Sequence, residues 1–151
     1  AGRFRAFSAG SRPRASVDPL TLQTLESLGY STAGLRAKSW DEFREDGAPQ
    51  MDFVFTVCDA AAGERCPVWP GQPVTAHWGI EDPAAVEGPP IERERAFAQA
   101  AKYLRNRIAA FAALPAAGLD RAAITRRLDA IGGLEGASSG LRVVTGGKTL
   151  P

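Results

Sequence analysis

The residues of this 151-residue chain with types suited to chemistry fall close together: Cys58 and Cys66, His77, and Asp82 followed by Pro83. They include the only two cysteines and the only histidine of the sequence. Seven residues, Gly63 among them, separate the thiols. A loop of that kind can bring them together, and a disulfide then requires their Cα atoms to come within about 7 Å. Taken alone, Cys58 reads equally well as packing, since a cysteine at the end of an apolar run is a common core residue. Asp82 can serve as a general acid if its carboxyl lies beside a leaving oxygen, and Pro83 restricts it to extended backbone, which aims the side chain. The same dipeptide also marks an ordinary turn. His77 reads as a packing or hydrogen-bonding residue, because one imidazole and two thiols lack the fourth ligand and the close spacing of a zinc site. No metal and no cofactor are expected. Trp69 and Trp78 read as loop-packing aromatics, and Arg93, Arg95, Arg105 and Arg107 as the solvated face of a helix.

The elements that must position these residues can be read from periodicity. Phe4, Ala6 and Ser8 alternate with Arg3, Arg5 and Phe7 in a short strand pattern ending at Gly10. Asp18 and Pro19 form an N-cap and first helical residue, with Leu22, Leu25 and Leu28 on one face and Gly29 as the stop. Ser39 to Glu42 fits a capping box ahead of a short second helix. Met51 to Cys58 is nearly continuous in apolar and β-favouring residues, which suits a strand buried on both faces of a parallel sheet. Cys58 and Asp59 then stand at its carboxyl end, the edge where open α/β sheets hold their ligands. A further strand is expected over Val74–Trp78. The longest helical pattern runs from Glu92 to Leu114, with Phe97, Ala101, Leu104, Ile108 and Phe111 facing the sheet. Leu119, Asp120 and Ile124 form a staple around an N-cap, opening a last helix that stops at Gly132 and Gly133. One domain over 1–132 and a Gly/Ser-rich flexible tail over 133–151 are expected.

Composition narrows the function classes. Eighteen basic against seventeen acidic residues leave a net charge of +1, too balanced for a nucleic-acid or membrane-surface protein. The longest apolar stretch falls far short of the roughly 20 residues of a membrane span, and no signal-peptide pattern opens the sequence. A cytoplasmic protein with no nucleic-acid or membrane partner is the expectation. In that reducing compartment two nearby cysteines are thiols or a transient disulfide rather than a structural staple.

The run from Cys58 to Pro67 and on through His77-Trp78-Gly79 to Asp82-Pro83, with Arg3 to Gly10 ahead of it, resembles the bacterial arsenate reductases of the low-molecular-weight tyrosine phosphatase superfamily. The resemblance implies an α/β domain of the three-layer, flavodoxin-like kind, with three or four parallel strands and flanking helices. It also implies reduction of arsenate to arsenite by a thiol/disulfide cascade. There the thiol matching Cys58 displaces arsenite, the thiol matching Cys66 carries the disulfide outward to thioredoxin, glutaredoxin or a low-molecular-weight thiol, and Asp82 is the general acid. The family binds its arsenate or phosphate oxyanion in a loop of cysteine, five residues and arginine. Here the residue six after Cys58 is Glu64 and the residue six after Cys66 is Gln72, so neither cysteine heads such a loop. A first βα unit is expected to be missing ahead of Ala1, leaving a vacant sheet edge open to self-association. Two other readings stand beside the reductase: a non-catalytic remnant or partner-complemented half-domain, and a protein tyrosine phosphatase-like phosphomonoesterase. The cysteine pair disfavours the last.

Overall fold

The computed structural model describes residues 4–57, 69–115 and 119–138. Cys58, Asp59 and Cys66 lie outside the described residues. Helix α1 (Pro19–Ser27) begins where Asp18 accepts a hydrogen bond from the Leu20 N–H (2.9 Å), with proline at a position whose own N–H is not needed. It ends as Gly29 takes a positive φ of 80°. The Ser39 cap forms, but the helix it opens is a single 3-10 turn, Trp40–Phe43. Strands β1 (Phe53–Thr56) and β2 (Val74–His77) pair in parallel, with Phe53 opposite Val74 and Thr56 opposite His77. Helix α2 (Pro90–Ala112) and helix α3 (Arg121–Gly132) follow, α3 capped by the Asp120 carboxylate on the Ala123 N–H (2.7 Å).

The result is an α/β domain with a parallel sheet and flanking helices, and three sequence expectations need correction. The pattern over Arg3–Ser8 does not become a strand among the described residues. Its neighbourhood offers one parallel bridge, Gly10 to Ser39, and no ladder, while Phe4 packs on Phe111 and Phe7 on Phe43. The sheet therefore has two strands there rather than three or four. The strand expected over 51–58 is half-buried along its whole observed length rather than covered on both faces, and Val57 is exposed. On α2 the expected apolar stripe divides. Phe97 is buried and Phe111 meets Phe53, Phe55 and Trp78, but Ile108 is 56% exposed, and Arg107, assigned to the solvated face, has no exposed surface. The helix is rotated so that an arginine, not an isoleucine, enters the interior.

The core sits between the sheet and the last two helices, with Ala76, Trp78, Leu128 and Ile131 at its centre. Trp78 stacks on Phe55 at 3.9 Å between ring centroids and donates its indole N–H to Leu128 O (3.0 Å), so its one polar atom is satisfied where the ring is buried. Leu128 is fully buried. Leu128→Ala is expected to destabilise the fold by about 2–5 kcal/mol through lost transfer energy and the cavity left behind. A urea titration with unchanged slope and a lower midpoint would show it. Past Gly132 the chain is described as far as Ser138, whose N–H reaches Gly79 O (3.1 Å). No helix among the described residues is long and apolar enough to cross a membrane.

Candidate active site

The parallel pairing carries Thr56 and His77 to the carboxyl end of the sheet side by side, and their side chains join there, Thr56 Oγ1 to His77 Nδ1 at 2.8 Å. His77 is thus a hydrogen-bonding residue, and no cluster of metal-ligating side chains occurs among the described residues. Beyond the strands the two chains stay together: the Ile80 N–H donates to Val57 O (3.0 Å). This contact fixes the segment that leads to Asp82 against the residue that precedes Cys58 in the sequence.

Asp82 is exposed at this end of the sheet. One carboxyl oxygen accepts from the Ala84 N–H (2.9 Å) and caps the 3-10 turn Pro83–Ala85. The turn meaning of the Asp-Pro step is therefore realised. The dipeptide makes a turn, and the turn holds one oxygen of an exposed carboxyl group. A groove of about 970 Å³ opens beside it, running between α1 and α2. Its lining joins Asp82 and Val57 to Leu25, Ile80, Leu104 and Ile108. Of the three residues proposed from sequence, the structure places Asp82 on this groove. Cys58 and Cys66 lie outside the described residues, and Val57 marks where the chain leads toward them.

Sequence reasoning assigned Arg107 to the solvated face, and the structure buries it. Its Nη1 donates to Trp78 O (3.2 Å) and its Nη2 to Leu134 O (3.4 Å), and burial pulls its pKa below the usual arginine value. The signal was present in the spacing: Tyr103, Arg107, Phe111 and Leu114 recur at steps of four, four and three, which sets a cation within an apolar stripe.

Residues 1–122 match the family model of the low molecular weight phosphotyrosine protein phosphatases. The chain is similar to the arsenate reductase of Bacillus licheniformis, with 38% identity over 109 residues, covering 72% of this chain and 75% of that protein. It is similar over the same lengths and shares to the arsenate reductases of Shouchella clausii (29% identity) and Bacillus subtilis strain 168 (27% identity). With a family match that takes in both strands, α1, α2 and the Asp82 turn, this chain belongs to the low molecular weight phosphotyrosine protein phosphatase family.

Proposed function

We propose that this chain works in the reduction of arsenate to arsenite, with Cys58 and Cys66 as relay thiols and Asp82 as the proton donor. The observation that carries the reading is the coincidence of relatives named arsenate reductase with a cysteine pair that a phosphomonoesterase would not need. The overall change is two-electron: arsenate takes two electrons from two thiolates, which become a disulfide, and the oxygen lost from arsenic leaves as water. Asp82 is exposed with one oxygen held by the Ala84 N–H, and its other oxygen suits protonation of the departing one. In this reading Cys58 displaces arsenite from a thiol-bound arsenic adduct, and Cys66 takes over the resulting disulfide. A dithiol protein of the thioredoxin or glutaredoxin type, or a low-molecular-weight thiol, then restores the pair, and a reducing compartment such as the cytoplasm fits that cycle.

A second reading is favoured by one count. Neither cysteine is followed six residues later by arginine, so the first thiol and the oxyanion loop come from a segment outside these residues, and the chain acts as a partner-complemented half-domain.

Mild oxidation tests the relay. Cys58 and Cys66 are expected to form an intramolecular disulfide, seen by mass spectrometry as the loss of two hydrogens and as one peptide joining the pair, and reversed by thioredoxin. Oxidation that yields only intermolecular dimers or unreacted thiols would refute it.

A further inference from the structure

Arg107 is a buried cation that pairs with no carboxylate among the described residues. Its partners are two backbone carbonyls, and its Nε has none. Taking a guanidinium out of water on those terms is costly, and an apolar side chain of similar length often serves stability as well or better. The residue is therefore better explained by what it joins than by what it stabilises.

It joins the strand end that precedes Asp82 to the turn that follows α3. In β2 the N–H groups of Val74 and Trp78 point toward β1, donating to Asp52 O and Thr56 O, so His77 and Gly79 face the outer edge. The C-terminal part of the chain closes that edge along its length. Arg121 Nη2 donates to Gln72 O and Pro73 O (both 2.8 Å) at the start of β2. Gly132 lies so close to His77 O that a Cβ there would overlap the carbonyl oxygen. The Ser138 N–H donates to Gly79 O (3.1 Å). Trp78 and Gly79 are thus held by Arg107 on one side and by the turn on the other, three residues before Asp82. The family match covers residues 1–122, so most of α3 and the whole turn lie beyond the matched residues.

We propose that Arg107 is a positioning residue which, together with the turn Leu134–Ser138, holds the Gly79–Asp82 segment so that the Asp82 carboxyl stands at the groove. The proposal rests on the reading of Asp82 as proton donor for its meaning, but its test does not need substrate. In the full chain, Arg107→Met is expected to leave the thermal midpoint near that of the parent while hydrogen exchange of the Gly79, Ile80, Glu81 and Asp82 amides rises by about tenfold or more and that of α1 stays unchanged. Arg107→Lys keeps the charge and a donor, and it should restore most of the protection. Ser138→Pro removes the N–H given to Gly79 O and otherwise alters only the turn around residue 138, so it should reproduce the local loss without disturbing the core; it carries the test if the methionine variant does not fold. Exchange that rises evenly through the chain with a lowered midpoint, or that stays unchanged at 79–82, would overturn the proposal. Failure of arsenate reduction by the chain complemented with an oxyanion loop would count against the function proposed above and leave this result standing.

Discussion

The purified 151-residue chain, supplied with arsenate, excess dithiol and thioredoxin, is expected to reduce arsenate no faster than the same mixture without it. A thiol that attacks arsenic needs an anion site to hold the oxyanion, and in this family the resemblance puts both in one loop of cysteine, five residues and arginine. The corresponding positions after Cys58 and Cys66 are Glu64 and Gln72, and a carboxylate where a guanidinium belongs repels the anion it should bind. Loss of the attacking group in covalent catalysis leaves only residual effects, typically several orders of magnitude below full activity. Adding a polypeptide that carries a strand and such a loop should raise the rate by about a hundredfold or more over this background. Once activity is restored, Cys58→Ser and Cys66→Ser should each stop turnover, the first by preventing release of arsenite and the second by stranding the disulfide. Asp82→Asn should slow it by about 10²–10⁴-fold, the usual weight of a general acid. Turnover by the chain alone that disappears with Cys58→Ser would instead make Cys58 the attacking thiol and remove the need for complementation.

Capped elements were legible in the sequence because their signals are local. Asp18-Pro19, Ser39 and Asp120 each announce a helix start, and each side chain accepts the expected backbone N–H. The strand at Val74 followed from a short apolar run bounded by prolines and glycines. What local pattern cannot supply is the partner. Residues 4–8 alternate as a strand does, yet the alternation yields a ladder only when another strand lies alongside, and among the described residues none does. Arg107 was misread for the same reason. Arginine on a helix is usually a surface residue, and it becomes a buried one here because Trp78 O and Leu134 O, far away in sequence, converge on it. At the site, the residue types pointed to thiol chemistry and proton donation. The groove that joins Asp82 to Val57 is a product of how α1, α2 and the end of the sheet meet, and no motif encodes it.

The unpaired side of β1 leads to the second large effect. In a parallel pair, alternate residues direct their backbone groups at the neighbouring strand. Asp52 O and Thr56 O serve β2, which leaves the N–H and C=O groups of Phe53 and Phe55 pointing the other way without a hydrogen-bond partner among the described residues. Such an edge, apolar and without a charge along its four residues, is a template for pairing with another chain. Exposed Phe4, Phe7 and Val57 enlarge the apolar surface available nearby. We expect a second copy to fill it, since a two-fold axis perpendicular to β1 brings the same unpaired groups of two copies together as an antiparallel pair. Light scattering behind size exclusion should then show a mass that climbs with concentration from the 16.0 kDa of one chain toward twice that value. Val57→Lys sets a charge at the end of the exposed edge without emptying the core, so it should return the chain to a monomer with its melting temperature nearly unchanged. Cys58→Ser, one residue further along, should weaken association more than Cys66→Ser does. A chain that remains at 16.0 kDa over the whole concentration range and melts in one cooperative step would mean that the edge of β1 is already satisfied within the monomer, and the partner-complemented reading would then lose its docking surface.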